Sequence, residues 1–319
     1  MVGDYKKADS LYTNSIDILQ KVLQKPTREF SNVLNDQALI KMYYGEYNLA
    51  DKLFKQALDA AINVHGEKDR NTAVIMNNLA LNYSDAGDLD KAEKYYNKSL
   101  DINIQLLGEN RPEIGTLYNN LGYLYTLKKD YKLAEEYLEK SYNLKRTLKG
   151  EDHSDVGLAL NNLGVINIKM TNYRKAEKYF IDAIKQYKKS LEPDHPYIAL
   201  SQFWLGKVNL ETGKLDIAEN YLRKSLKTRI KKLPAENKDI WRTKTELGIC
   251  LFKQKKYKEA ESFLVPTLEF YKSNFSDDTE QIIKLYENTV ILYKAMGNKQ
   301  KAEEYAAQLK SFKEKTNQK

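Results

Sequence analysis

Apolar and polar positions along the chain recur with a long, fixed period. An alanine stands in each of GDYKKA, GEYNLA, GDLDKA, KDYKLA, TNYRKA, GKLDIA, KKYKEA and GNKQKA, at positions 8, 50, 92, 134, 176, 218, 260 and 302, always 42 residues apart. One residue after each comes an acid (Asp9, Asp51, Glu93, Glu135, Glu177, Glu219, Glu261, Glu303), and four after comes a bulky residue in the first seven. Three before it lies an aromatic residue or leucine in the same seven. Apolar spacings of three and four on both sides of a short turn predict two amphipathic helices per period, A before the turn and B through the alanine. One helix from the first unit and two from each of the next seven predict about 15 helices and an all-α chain of stacked antiparallel pairs.

Twelve residues before the alanine the side chain is small in six of the seven full units (Ala38, Ala80, Gly122, Gly164, Gly206, Gly248), with Val290 the exception. Glycine inside a helix costs ~1 kcal/mol against alanine, so close approach of two helices is the expected reason. Two places break the pattern. Gln37 and Lys41 replace residues that are leucine and mostly tyrosine in neighbouring units, and Pro266 falls inside a helix B, where a kink is expected. The other prolines, 26, 112, 193, 196 and 234, fall between units.

The segments LYNNLGYLYTLKKDY (117–131) and LNNLGVINIKMTNY (160–173) carry the helix A signature of the tetratricopeptide repeat, and this resemblance extends over the whole chain. The 42-residue period, the NNL(A/G) runs and loops such as LGENRPEIG, GEDHSDVG and EPDHPYIA look like the kinesin-light-chain type. The final two units are similar to the closing repeats of bacterial multidomain proteins, among them serine/threonine kinases with tetratricopeptide tails. The resemblance implies a right-handed α-solenoid, a single array over residues 1–319, with a half-repeat at 1–25 supplying helix B alone and seven full repeats over 31–317. Because MVGDYKKA enters directly at the turn before a helix B, the chain is expected to be a segment or a shortened form of a longer protein. KSFKEKTNQK reads as a charged capping helix.

The same resemblance places helices A along a concave face. There, tandem repeats turn single positions into rows. Fifteen and fourteen residues before the alanine stand Asn35 and Asp36, Asn77 and Asn78, Asn119 and Asn120, and Asn161 and Asn162. Asparagine offers a donor and an acceptor, so a row of amides suits the backbone of an extended peptide; their alternative role is to bridge adjacent helices. Later in the row come Phe203, Trp204 and Lys207, an aromatic anchor with a cation beside it, or else core. The expected groove therefore comprises Asn77, Asn78, Asn119, Asn120, Tyr123, Asn161, Asn162, Phe203, Trp204, Lys207 and Arg242. Its ligand would be a protein or peptide.

Charge divides the chain. Residues 1–150 hold 21 basic and 21 acidic side chains, and residues 151–319 hold 31 and 23, so the whole net charge of +8 belongs to the second part. Clusters at Lys185, Lys188 and Lys189, at Arg223, Lys224, Lys227, Arg229, Lys231 and Lys232, and at Lys253, Lys255, Lys256 and Lys258 are expected on helices B and turns, as outer surface. A positive field would favour an acidic partner. Nucleic-acid binding is the weaker reading, because the amide row is too uniform to resemble a base-reading code.

Catalytic chemistry finds no motif. His65, His153 and His195 lie between units, the last two at equivalent positions, and the lone Cys250 sits among apolar residues. There is no phosphate-binding GxxxxGK[ST] loop, metal-ligand spacing or kinase catalytic loop. No enzyme activity, metal or cofactor is expected. Neither a membrane span nor a signal-peptide core is visible, and with one cysteine a cytoplasmic location is expected. The first functional reading is a protein-interaction scaffold. The second is a regulatory or substrate-recruiting segment of a larger bacterial signalling enzyme, and the third is polyanion binding by the basic part.

Overall fold

The computed structural model describes residues 5–22 and 27–316, which form fifteen helices and no strand. Pro26 and residues 1–4 and 23–25 of the expected half-repeat lie outside the described residues, as does 317. Two compact units divide at 151/152. The first holds α1 (Tyr5–Val22), α2 (Arg28–Tyr43), α3 (Tyr47–His65), α4 (Arg70–Ala86), α5 (Leu89–Leu107), α6 (Pro112–Leu127) and α7 (Tyr131–Lys149). The second holds α8 (Ser154–Lys169), α9 (Tyr173–Ser190), α10 (Pro196–Glu211), α11 (Leu215–Lys232), α12 (Lys238–Lys253), α13 (Tyr257–Asn274), α14 (Thr279–Ala295) and α15 (Lys299–Thr316). Even-numbered helices are the A helices of the repeats.

The small position and the bulky one pack face to face. A Cβ on Gly122 would sit 2.6 Å from Leu138 Cγ, and one on Gly206 equally close to Leu222 Cγ. The anchor alanines from Ala50 to Ala260 are fully buried between the paired helices. Seven residues after the alanine, Ser99, Ser141 and Ser225 donate to the carbonyls of Ala73, Gly115 and Ala199 at 2.7, 2.7 and 2.6 Å, pinning B to A near their outer ends.

Each A helix ends in a tight turn whose fifth residue before the alanine takes a left-handed conformation. Glycine fills it at 45, 87, 213 and 297, but Lys129, Thr171 and Lys255 adopt it too, with φ of 63°, 61° and 63°. In most repeats the next amide reaches back to close the helix, for example Asp88 N to Tyr83 O at 2.9 Å.

The acid after the alanine couples one repeat to the next. Asp51 and Glu93 accept from the hydroxyls of Tyr83 and Tyr125, and Glu261 from that of Tyr293, at 2.7, 2.7 and 2.6 Å. Glu219 does so through Lys256 at 2.7 Å. In the first seam the residues that broke the pattern take this part. Lys41 pairs with Asp9 at 2.7 Å, and buried Gln37 donates to Thr13 Oγ1 at 2.8 Å.

Two expectations need correction. Arg229 is not a surface cation: it is 3% exposed, donates to Asp239 O and Thr243 Oγ1 at 2.8 and 2.7 Å, and lies 4.8 Å from the Phe203 ring. Its position on the inward side of α11 outweighs the basic run around it. Pro112 and Pro196 do not merely separate units but occupy the first turn of α6 and α10, where a missing N–H costs nothing. Pro266 lies inside α13, Tyr257–Asn274, as expected for a helix B.

Candidate functional site

Within each unit, neighbouring helices A touch one another directly (α2 with α4, α4 with α6; α8 with α10, α10 with α12, α12 with α14), whereas helices B make no comparable contact. Helices A therefore line the shorter, inner side of each stack. Register then decides what that side presents, because positions 18, 14 and 11 before the alanine share one stripe of helix A.

In the first unit the stripe is an amide row. Asn120 Nδ2 donates to Asn77 Oδ1 at 2.9 Å and Asn78 Nδ2 to Asn35 Oδ1 at 3.0 Å, each bond spanning two repeats, while Asn77 Nδ2 donates to Asn78 Oδ1 at 3.2 Å. Asn77, Asn78, Asn119 and Asn120 are all half-buried. An amide has two donors and two acceptor sites, so these bonds use only part of its capacity. Val74 and Tyr123 flank the row, 41% and 42% exposed, and the Tyr123 hydroxyl donates to Asp85 Oδ1 at 3.3 Å. Beside Asn77 a cavity of ≈ 140 Å³ opens between α4, α5 and α6, with Val74, Thr116 and Leu117 among its walls.

The second unit differs. Asn161 is 1% exposed; it donates to the Tyr187 hydroxyl at 3.0 Å and accepts from Ser201 Oγ at 2.8 Å, so its amide is spent inside the protein. Asn162 stays half-buried on the inner register. Phe203 is buried beneath Arg229, and only Trp204 of the aromatic pair reaches the surface, partly covered and stacked on Phe180 with centroids 6.3 Å apart. Phe203 on α10 and Asn161 on α8 stand one position before the exposed stripe, and in the second unit both side chains turn into the protein, to Arg229 and to Tyr187.

Lys207 keeps its place beside the indole, 5.6 Å from its centroid. It also pairs with Glu246 on α12 at 3.3 Å, and Lys284 on α14 pairs with the same oxygen at the same distance. Glu246 has a side chain only 10% exposed, so one nearly buried carboxylate aligns two cations from alternate A helices. Arg242 is 55% exposed on α12, 3.9 Å from the Asp239 carboxylate. Glu246 and Lys284 were not among the expected groove residues, although both occupy its registers.

Groups able to perform chemistry are placed structurally. His153 and His195 cap α8 and α10, each Nδ1 accepting an amide N–H (Asp155 and Tyr197) at 3.1 Å. Cys250 is buried, its Sγ donates to Leu215 O at 3.4 Å, and burial pushes the thiol up to about 11. Among the described residues no cluster of His, Cys, Asp and Glu could hold a metal, and no helix is long and apolar enough to cross a membrane.

The sequence profile of the tetratricopeptide repeat matches residues 29–105, 83–147 and 155–231, well over half the chain. The chain belongs to the tetratricopeptide repeat family. Solved structures agree on the fold. BtubC (BKLC) from P. vanneervenii superposes with a TM-score of 0.62 at 21% identity, over 71% of this chain and 91% of that one. A kinesin light chain from Podosopora anserina with nearly identical repeats gives 0.54 at 17% identity, over 64% and 98%. The apo quorum sensor NprR from B. thuringiensis gives 0.69 at 18% identity, over 96% and 83%. No curated protein matches the sequence significantly. Proteins of this repeat type generally serve as interaction scaffolds, and this tetratricopeptide chain has the same kinesin-light-chain-like fold.

Proposed function

We propose that the protein is an interaction scaffold that holds an extended peptide segment of a partner along the inner face of its first unit. The observation that carries this reading is the amide row of α2, α4 and α6, half-buried on α4 and α6, hydrogen-bonded from helix to helix and flanked by exposed Val74 and Tyr123. Side chains held by their neighbours lose little freedom when a ligand arrives, and their remaining donors and acceptors suit a peptide backbone whatever its sequence. The cavity beside Asn77 would take one partner side chain. On the second unit, Lys207, Arg242 and Lys284 with Trp204 would favour acidic residues in the partner.

The test compares proteins captured by the native chain, by Asn78→Ala/Asn120→Ala and by Lys224→Glu/Lys227→Glu. Loss of partners in the first variant alone supports the inner face. Loss in the second alone, with a steep decline of binding as salt rises, would move the function to the outer cations and a polyanionic ligand.

A further inference from the structure

The amides of the first unit form a directed chain. Asn120 donates to Asn77, Asn77 to Asn78 and Asn78 to Asn35, and Asn35 Nδ2 donates to Asp36 Oδ1 at 3.2 Å. Each of these four bonds passes an N–H toward the same end. Amides alone do not dictate this, because a carboxamide turned end over end exchanges donor for acceptor in nearly the same shape. A carboxylate only accepts. Asn35 must therefore give Asp36 an N–H, which leaves the Asn35 oxygen facing Asn78, and each amide beyond is set in turn. Reversed, the chain would bring the Asn35 oxygen against the Asp36 carboxylate, acceptor against acceptor. The Tyr12 hydroxyl donates to the other oxygen, Asp36 Oδ2, at 3.4 Å and closes the end. At the same register the next two repeats carry Asn78 and Asn120, so Asp36 is the one acid in the row.

We infer that Asp36 is a positioning residue that fixes the polarity of the amide chain and, with it, the direction in which a peptide backbone lies along α2, α4 and α6. The directional part rests on the reading of this face as a peptide-binding surface. A polarised row presents its remaining N–H and oxygen in the same order at each repeat. An extended backbone, whose own N–H and C=O groups have a sense, matches that order in one direction and leaves groups unpaired in the other.

Asp36→Asn preserves the shape and lets the position donate. In the full chain labelled with ¹⁵N-asparagine, wild type should give one set of side-chain resonances for Asn77, Asn78 and Asn120. Asp36→Asn should double or shift those of Asn77 and Asn120, with helicity by circular dichroism unchanged, and Asp36→Glu should restore the single set. Resonances of Asn77 and Asn120 unmoved in Asp36→Asn overturn the inference, whether or not any peptide binds. The directional part uses a peptide selected on wild type from a random displayed library, with a nitroxide at its N-terminus. It should broaden signals at one end, α2 or α6, in wild type and at both ends in Asp36→Asn; one-ended broadening in both proteins overturns it. If selection yields no peptide, the binding-face reading fails, and the amide spectra alone decide the role of Asp36.

Discussion

Gly164 lies directly against the ring of Phe180, so close that a Cβ added to the glycine would stand 2.5 Å from Cε1 and Cζ. Phe180 is fully buried and has no room to retreat. Gly164→Ala should therefore destabilise the second unit by about 2 kcal/mol, despite the better helix propensity of alanine. Urea unfolding read by tryptophan fluorescence checks this, since Trp204 stacks on Phe180. An unchanged or higher midpoint would show that the glycine is dispensable.

Thr171 presents the opposite case. It holds φ = 61° at the turn position where Gly87 and Gly213 stand in other repeats, and no bulky β-branched residue is comfortable there. Thr171→Gly should raise stability by about 1 kcal/mol, and Lys129→Gly and Lys255→Gly somewhat less each. The three sites are far apart in sequence, so the triple variant should show close to the sum of the single effects in thermal melts.

Arg229 separates two kinds of basic residue within one run. Arg229→Ala removes a buried cation that satisfies Asp239 O and Thr243, and should cost about 3 kcal/mol in chemical unfolding. Lys224→Ala, on an exposed site a few residues away, should change stability by less than about 0.5 kcal/mol. Equal effects would contradict the placement of Arg229.

Glu219 gives the pH dependence a sign. Burial alone would raise its carboxyl, but hydrogen bonds from Lys256 and Arg223 prevail and hold it at about 2, against an ordinary 4.5. A carboxylate depressed on folding contributes its full stabilisation above the ordinary value and loses it as pH falls through the folded one. Stability should therefore decline between pH 4.5 and 2, and Glu219→Gln should flatten that decline while lowering stability at pH 7. Parallel curves for the two proteins, from urea midpoints at stepped pH, would sink this assignment.

Helices, turns and the paired small and bulky positions could be read from the sequence because each obeys a local rule repeated at a fixed spacing. Tyr123, Trp204, Lys207 and Arg242 could be assigned to the inner register from the sequence because position on helix A determines which side a residue faces. Asn161 and Phe203 escaped that logic. Both sit one position before the exposed stripe, where a small local rotation turns a side chain inward to Tyr187 or Arg229. Nor could spacing reveal Arg229, because its partners lie on the following helix and only the packed pair brings them within reach. The acid after each alanine was visible in the sequence, but the residues that Asp51, Glu93, Glu177 and Glu219 bind, 32 to 37 positions later, were not.

The first seam has a consequence for how the molecule comes apart. Within the two units, buried Leu79, Leu121, Leu205 and Leu247 fill the position that Gln37 holds against α1, where an ion pair and an amide contact stand in for apolar burial. Stability in a stack of repeats is close to a sum of local seams, and a seam held by charge weakens as salt screens it. Unfolding should then start as a fraying of α1 that added salt promotes, while the leucine-filled seams stay closed. Amide exchange resolved by helix would report a gradient of opening energies, so that no single melting temperature describes the chain.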